Sequence, residues 1–341
     1  MPAALILDRA VGSGLRVPVG ILGTGLAVPS TVVTNDDLAQ TLDTDDEWIV
    51  ARTGIRQRRF LEDGRAVSDL CVEAAVQALA DSGTRPEELD AIVLATITPD
   101  QPLPSTALIV KEALGAHQAI PLDLNQAACA GGVLGFLLGA HLLQNRLLGR
   151  VLVIGAEALS RLTDPADRTT RVFFGDAAGA AVLGPTEAGY GLLSWDTGSL
   201  LSHSVEVRAG GSATPTTAET AEAGGHFLRM DGRVVWQQAT EKLPGSILAA
   251  VRRAGLAVAD VRHFVLHQAN RNIINYVMDQ LDVGLERAGV TIDTLGNTGA
   301  ATVFTVLHGA RERGEVARGE HLVIAGIGAG FLWGSLCLRQ Q

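Results

Sequence analysis

Cysteine is scarce in this sequence, and the few that occur are widely spaced. The chain of 341 residues has three, Cys71, Cys129 and Cys337, none of them in a Cys-x-x-Cys pair. An odd number of isolated cysteines argues against a disulfide framework and gives no zinc-binding spacing. We therefore expect free thiols, no metal site and a location in the reducing cytoplasm.

Positive charge and long apolar runs are also in short supply. The formal net charge is −10, and such a field repels phosphate backbones, so nucleic acid is not an expected partner. The most apolar stretch, residues 127–140, is shorter than the roughly 18 residues that a membrane-spanning helix needs. The chain does not open with a basic region followed by an apolar one, so we expect no signal peptide and no membrane association.

What the chain does contain is an alternation of short apolar strands and longer helical patterns. With 47% hydrophobic and 19% charged residues, it suits a globular protein with a large core. Strand candidates at 91–95, 151–154, 264–266 and 322–324 alternate with helical segments such as 68–82, which predicts an α/β fold. Similar pieces recur about 170 residues apart, which indicates an internal duplication: Ile92-Val-Leu94 with Phe264-Val-Leu266, and Leu152-Val-Ile154 with Leu322-Val-Ile324.

Cys129 is the first candidate for chemistry. It lies in the run Ala-Ala-Cys129-Ala-Gly-Gly, where small residues lead into an apolar helix. The unpaired N–H groups and the dipole at a helix N-terminus favour a thiolate, which predicts a nucleophile. The alternative is a small buried hydrophobic residue, the usual fate of a free cysteine.

Two polar residues complete a candidate site. His267 follows an apolar strand in Val-Leu-His267-Gln-Ala-Asn, and Asn297 lies in the glycine-rich turn Leu-Gly-Asn297-Thr-Gly. An asparagine in a turn often serves only as a local cap. Because Asn297 and Cys129 precede helices related by the duplication, we predict a Cys, His and Asn site between the two halves.

From about Val19 to Arg339, the sequence resembles the β-ketoacyl-acyl-carrier-protein synthase III family of the thiolase superfamily. The matching stretches are Asp-Glu-Trp48-Ile-Val-Ala-Arg52-Thr-Gly-Ile-Arg, Ala-Ala-Cys129-Ala-Gly, Asp-Pro-Ala-Asp-Arg168, Phe-Gly-Asp-Ala-Ala-Gly-Ala-Ala-Val-Leu, His267-Gln-Ala-Asn, Gly-Asn297-Thr and Gly-Phe-Leu-Trp-Gly-Ser.

The resemblance implies a thiolase-like α/β fold of five layers, α-β-α-β-α, built from two duplicated halves. We expect an N-terminal extension over 1–17, loosely ordered, then a half over 18–185 with the cysteine, and a half over 186–341 with His267 and Asn297. Residues 208–225 lack large apolar side chains and predict a surface loop or a mobile flap.

The resemblance also implies roles for residues. An acyl-CoA would acylate Cys129, and His267 and Asn297 would hold the carbonyl of a malonyl thioester during a decarboxylative Claisen condensation that primes fatty-acid or polyketide synthesis. Backbone N–H groups of Cys129 and Ala329 would form the oxyanion hole. No cofactor is expected, since acyl-CoA is a substrate.

Further positions match the family's substrate contacts. Trp48, Arg52 and Arg168 would border the CoA adenine and its phosphate. Leu103 and Trp236 match positions at the acyl pocket. Leu103 would act as a gate reaching into the partner subunit of a homodimer, and its small size predicts acceptance of acyl groups larger than acetyl.

The chain departs from the family where an acyl carrier protein would dock. Asn272 and Asp279 stand where basic residues are expected, and Gln237 stands where a lysine is common. A carrier protein therefore remains only a possible partner, with Arg252, Arg253 and Arg262 as a substitute basic patch.

Two alternatives remain open from the sequence. Acyl-Cys129 could be transferred to a carrier protein, or to a hydroxyl or amine of a specialised metabolite, without condensation. A non-catalytic subunit of the same fold is the other alternative, which the presence of Cys129, His267 and Asn297 disfavours.

Overall fold

The computed structural model describes residues 12–125 and 128–341. The strands in these ranges are β1 (Val19–Ala27), β2 (Thr31–Thr34), β3 (Gln57–Phe60), β4 (Ala91–Ala95), β5 (Ile120–Leu124), β6 (Val151–Ala158), β7 (Asp176–Pro185), β8 (Gly191–Ser199), β9 (Val205–Val207), β10 (Leu228–Met230), β11 (Val261–Leu266), β12 (His321–Gly328) and β13 (Leu332–Arg339).

The helices are α1 (Asn35–Ala39), α2 (Asp46–Thr53), α3 (Val67–Ser82), α4 (Thr106–Leu114), α5 (Gly131–Leu142), α6 (Ala218–Glu222), α7 (Gly232–Arg253), α8 (Arg271–Gln280), α9 (Ile292–Leu295) and α10 (Thr302–Glu312). Two short 3₁₀ turns matter for the site. They are Ala128–Ala130, which leads into α5, and Gly299–Ala301, which leads into α10.

Two mixed sheets share the same strand order. The first runs β1-β7-β6-β4-β5, and the second, read from its β8 edge, runs β8-β13-β12-β11. In both sheets the first two pairings are antiparallel and the next is parallel. The predicted duplication is therefore a repeat of topology, to which the first half adds β5 as an edge strand.

Helices fill three layers around these sheets. The outer helix α3 packs on β1, β6 and β7, and α7 packs on β8, β12 and β13. Between the sheets lie α5 and α10, which contact strands of both. Helix α5 is apolar on every side. This composition fits its position, because the helix has a sheet on both faces. The predicted five-layer α/β fold is confirmed.

The described part of the N-terminal segment is bound to the body of the protein. Gln144 accepts hydrogen bonds from the N–H groups of Arg16 and Val17 at 2.8 and 3.0 Å, and Trp195 Nε1 donates to Ser13 O at 3.1 Å. Residues 12–17 therefore differ from the loosely ordered extension that the sequence predicts, and residues 1–11 lie outside the described part.

The low-complexity segment 208–225 is mostly exposed and contains the short helix α6. Its two ends continue into β9 and β10, which pair antiparallel. Leu228 and Met230 on β10, with Val205 on β9, face an internal cavity described below. The segment is thus the exposed tip of a hairpin whose base borders that cavity.

Gly155 in β6 provides a test of how tightly the layers meet. A Cβ atom at this position would lie 2.7 Å from the carbonyl carbon of Ala300 and 2.8 Å from Phe304 Cε2. Since backbone atoms cannot yield as a side chain can, we expect Gly155→Ala to lower the free energy of unfolding by about 1–3 kcal/mol, as measured by urea denaturation.

The matched control is Gly245→Ala in α7, where a Cβ atom would meet no heavy atom within 4 Å. This change should raise the free energy of unfolding by about 0.5–1 kcal/mol, because alanine restricts the unfolded chain and favours the helix. Equal effects of the two changes would contradict the packing described for β6.

Candidate active site

Cys129 occupies the middle of the 3₁₀ turn that precedes α5. The residue before it, Ala128, has φ = 42°. A residue other than glycine adopts this left-handed backbone conformation only when the surrounding structure holds it there. Cys129 itself is partly accessible through the cavity. The turn thus directs the sulfur away from the helix core and into open space.

Burial in apolar surroundings raises the pKa of the Cys129 thiol to about 12, and the nearby Glu157 carboxylate contributes in the same direction. Hydrogen bonds from Asn297 and from the Cys129 backbone act in the opposite direction but are weaker. The structure therefore differs from the expectation of a resting thiolate. A helix N-terminus contributes at most about 2 kcal/mol, which desolvation of the sulfur outweighs.

His267 follows β11 directly and is held at both backbone and side chain. Its N–H donates to Ala325 O at 2.8 Å, and its Nδ1 lies 2.6 Å from the hydroxyl of Thr302, the first residue of α10. Burial lowers the pKa of His267 to about 3. The imidazole is therefore neutral at physiological pH, with one nitrogen held and the other free to act in the cavity.

Asn297 is fixed by the strand-like segment that precedes β7. Its N–H donates to Phe173 O at 2.8 Å, and its carbonyl accepts from Gly175 N at 3.0 Å. The buried Arg58 braces this segment by donating to Val172 O at 2.7 Å. The Asn297 side chain accepts from Gly299 N at 3.0 Å, and it is close enough to the Cys129 thiol to lower its pKa. It is thus both a local turn cap and a neighbour of the sulfur.

One cavity is lined by all three of these side chains. Its remaining wall is almost entirely apolar, so a bound thioester would be largely removed from water. The other residues that line it are Ile97, Ala128, Glu157, Leu159, Phe174, Val205, Leu228, Met230, Val235, Ala239, Leu243, Ala269, Ile273, Gly299, Ile327, Gly328, Ala329 and Phe331.

Ala329 lies in the turn between β12 and β13, on the cavity wall with Cys129. Three residues earlier, Gly326 passes close behind the site. A Cβ atom there would lie 3.3 Å from His267 Cβ and 3.6 Å from Cys129 O. The end of β12 thus packs directly against both residues, and it carries the Ala329 backbone to the same wall.

A second, more open depression lies on the surface around Trp48, Arg52 and Asn272. The guanidinium carbons of Arg52 and Arg168 lie 4.8 and 5.4 Å from the centre of the Trp48 ring. Met230 borders both this depression and the cavity. The three residues predicted for CoA therefore form one cluster at the approach to the site.

Leu103 and Trp236 do not line the cavity. Leu103 is 84% exposed in the segment before α4, and Trp236 points outward from α7, where its ring packs edge-on against Tyr276. On α7, Val235 and Ala239 face the cavity instead of Trp236. Within one subunit the two predicted acyl-pocket residues are thus separate from the site.

Sequence reasoning missed Glu157, Thr302 and Arg58. Glu157 is a wholly buried carboxyl group in the cavity wall, and it interrupts the apolar strand Val-Leu-Val-Ile-Gly-Ala-Glu157-Ala. That interruption was a usable signal, because a charged residue is rarely buried without a role. Thr302 and Arg58 carried no such signal, since their importance arises only from tertiary contacts.

Among residues 12–125 and 128–341, no group of three or more His, Cys, Asp or Glu side chains is placed to hold a metal ion. The same part of the chain contains no helix long and apolar enough to cross a membrane.

Solved structures define the class to which this fold and site belong. The 3-oxoacyl-[acyl-carrier-protein] synthase III of Aquifex aeolicus superposes with a TM-score of 0.87 at 34% identity, over 94% of this chain and 99% of that one. The priming β-ketosynthase of a polyketide biosynthetic pathway superposes with a TM-score of 0.87 at 32% identity, over 96% and 98%. The protein is thus an acyl-transferring condensing enzyme of the thiolase-like class.

Sequence relatives narrow this class to one family. The β-ketoacyl-[acyl-carrier-protein] synthase III of Symbiobacterium thermophilum is 43% identical over 94% of this chain and 98% of its own length. Residues 122–200 match the family described as 3-oxoacyl-[acyl-carrier-protein] synthase III, and residues 251–340 match its C-terminal part. The chain belongs to the β-ketoacyl-acyl-carrier-protein synthase III family, which confirms the resemblance found in the sequence.

The raised pKa of Cys129 leads to a test on the free protein. Because a pKa of about 12 keeps the thiol protonated, the rate of alkylation by iodoacetamide should rise about tenfold per pH unit between pH 8 and 9.5, without a plateau. Peptide mass spectrometry would follow Cys129, with the buried Cys71 and Cys337 as unreactive internal controls. A plateau below pH 9 would instead indicate a stabilised thiolate.

Proposed function

We propose that this protein primes fatty-acid or polyketide synthesis by condensing an acyl-CoA with a malonyl thioester. The observation that carries the proposal is the convergence of Cys129, His267 and Asn297 on one apolar cavity. A nucleophile and two fixed hydrogen-bond donors are what acyl transfer followed by decarboxylation needs. Acyl transfer without condensation needs no second donor, so the position of Asn297 supports condensation.

In the first step the Cys129 sulfur attacks the thioester carbonyl of acyl-CoA. The S–C bond to CoA breaks, and the thiol proton leaves with the CoA sulfur, so the products are acyl-Cys129 and free CoA. Backbone N–H groups of Cys129 and Ala329 are proposed to stabilise the negative oxygen of the intermediate. A resting thiol suits this order, because the proton departs only when a substrate is present to receive it.

In the second step the malonyl thioester loses CO₂ and becomes an enolate. Its oxygen would accept hydrogen bonds from the Asn297 amide and from His267 Nε2–H. The Thr302 hydroxyl, which lies 2.6 Å from Nδ1, would support this tautomer by donating to that nitrogen. The enolate carbon then attacks acyl-Cys129, a carbon–carbon bond forms, and the released sulfur takes up a proton.

The acyl-CoA is proposed to enter past Trp48, Arg52 and Arg168. An aromatic ring flanked by two guanidinium groups offers a stacking surface for adenine and positive charge for phosphates. The proposed reaction needs no cofactor beyond this substrate. The three free thiols are consistent with the proposed location in the cytoplasm.

An acyl carrier protein is the proposed source of the malonyl group, and it would approach the same entrance. Exposed Arg52 and Arg233, with the half-buried Arg271, provide its positive charge. Arg252 and Arg253 do not serve here, because they lie about 30 Å further along α7 from the entrance at Gly232. Arg253 is also paired with Asp196 at 2.6 Å.

The protein is proposed to act as a homodimer. The edge strand β5 carries Ile120, which is 49% exposed, and the nearby segment carries Leu103, which is 84% exposed. A second copy would cover both and would bring Leu103 to the partner's acyl pocket, as the family resemblance implies.

Product analysis provides the test of the reaction. The purified protein is incubated with a panel of acyl-CoA substrates and malonyl-acyl-carrier protein, while CO₂ and product mass are followed. CO₂ should appear in proportion to acyl-CoA consumed. Asn297→Ala should lower the rate of CO₂ release 10²–10³-fold, an order of magnitude typical of losing one fixed donor, while Cys129 is still acylated.

The matched control is Asn145→Ala, an exposed asparagine in the turn after α5, which should behave as the parent. Transfer of the acyl group without CO₂ release would refute condensation and support the simple transferase. Failure of any acyl-CoA to label Cys129 would refute both.

The proposed gate makes a separate prediction about substrate size. Leu103→Phe should reduce kcat/KM for hexanoyl-CoA by about tenfold while leaving acetyl-CoA nearly unchanged, because a larger side chain would fill the partner's pocket. The control is Leu147→Phe, at a position 86% exposed in the turn after α5. Parallel losses for both substrates, or no change for either, would contradict the gate.

A further inference from the structure

Glu157 lies at a point where the two halves of the protein meet. It is the next-to-last residue of β6 in the first sheet, is wholly buried, and forms part of the cavity wall with Cys129. The proposed mechanism assigns it no step. A buried carboxyl group is costly unless its hydrogen bonds are satisfied, so its partners indicate what it does.

The first set of partners comes from the segment after β4. The Thr98 hydroxyl donates to Glu157 Oε2 at 2.8 Å, the Thr96 hydroxyl donates at 3.3 Å, and Ile97 N–H donates at 3.2 Å. Thr98 also accepts from Ala158 N at 2.8 Å. These bonds hold the carboxyl group in one orientation within its own half of the protein.

The remaining partner belongs to the other half. The backbone N–H of Ala300, in the 3₁₀ turn before α10, is close enough to the Glu157 carboxyl group to lower its pKa. Beside it, Gly299 packs so closely on the Glu157 stem that a Cβ atom would lie 2.6 Å from Cγ. Glu157 therefore ties the turn at Gly299–Ala301 to the first sheet.

That turn orients two of the proposed catalytic side chains. The N–H of Gly299 donates to Asn297 Oδ1 at 3.0 Å, and this bond aims the amide at Cys129. The hydroxyl of Thr302, one residue after the turn, holds His267 Nδ1 at 2.6 Å. A shift of the turn would thus change the direction of both hydrogen-bond donors.

We propose that Glu157 is a positioning residue, which holds the segment 299–302 so that Asn297 and His267 converge on the enolate oxygen. This inference rests on the proposed condensation reaction, in which those two groups act together. It predicts that loss of the carboxyl group impairs decarboxylation more than acylation, because only the second step uses both donors.

The charge of Glu157 provides an independent readout. Burial raises its pKa to about 7, and its ionised form raises the pKa of Cys129. The titratable groups around it are Cys129 in the turn before α5, Cys71 in α3, whose pKa it also raises, and His267 across the cavity. As pH increases through 7, Glu157 gains its charge and opposes ionisation of the sulfur.

The test compares Glu157→Ala with Glu157→Gln. Glutamine keeps an oxygen for the N–H group of Ile97 and a side chain of nearly the same size against Gly299. Its amide can donate to threonine hydroxyls, which rotate to accept. Glu157→Ala should lower the rate of CO₂ release roughly tenfold or more, as removal of a supporting hydrogen bond often does. Acylation of Cys129 should change less, and Glu157→Gln should restore CO₂ release to within a few-fold of the parent.

Alkylation of Cys129 by iodoacetamide between pH 5.5 and 9 gives the second measurement. The parent should show a flatter segment near pH 7, where Glu157 ionises, whereas Glu157→Gln should give a straight line of slope one and react faster than the parent above pH 7. The exposed Glu187, paired with Arg318 at 2.9 Å, supplies the control Glu187→Gln, which should match the parent in both assays.

Three results would overturn the inference: unchanged CO₂ release in Glu157→Ala, equal loss of acylation and decarboxylation, or failure of Glu157→Gln to restore the rate. If Glu157→Ala does not fold, Glu157→Gln still tests the inference through its rate of CO₂ release and through the pH dependence of Cys129 alkylation. If the parent itself releases no CO₂, the proposed condensation fails, while the alkylation profile still tests the link between Glu157 and Cys129.

Discussion

The close approach of the two central helices at Gly132 determines where the active site can form. A Cβ atom at Gly132 would lie 2.6 Å from Val303 Cγ2 and 2.8 Å from the Ala300 carbonyl oxygen. Only a hydrogen atom allows the N-terminus of α5 to lie against that of α10. Since Cys129 and Asn297 stand just before these two helices, the same contact brings them to one cavity, and they cannot separate without opening the core.

The burial that makes this arrangement rigid also decides which groups carry charge. Desolvation raises the pKa of Cys129 to about 12, lowers that of His267 to about 3 and raises that of Glu157 to about 7. At rest the thiol and the imidazole are therefore neutral. A reaction that builds negative charge on an enolate then meets N–H donors already in place, which is more effective than recruiting them from water.

The sequence alone allowed much of this architecture to be predicted, because apolar strands at 91–95 and 151–154 and their repeats at 264–266 and 322–324 reflect two buried sheets. It also drew attention to Cys129, His267 and Asn297 through their positions at strand and helix ends. The protonation state of Cys129 was not predictable, since it depends on burial by distant elements. The direction of the Trp236 side chain was not predictable either, because Trp236 directly follows Val235, which is on the cavity face of α7.

The entrance illustrates how a departure from the family can serve another contact. Asn272, at a position where a basic residue was expected, donates to Arg52 O at 3.1 Å, and Asn270 donates to the same oxygen at 2.9 Å. These bonds cap the end of α2 and fix the helix that carries Trp48 and Arg52. A lysine or arginine at 272 would offer charge to a carrier protein but would not form this compact pair of amide bonds. Asn272 therefore holds the end of α2 in place, at a position where the family resemblance leads us to expect a charged side chain.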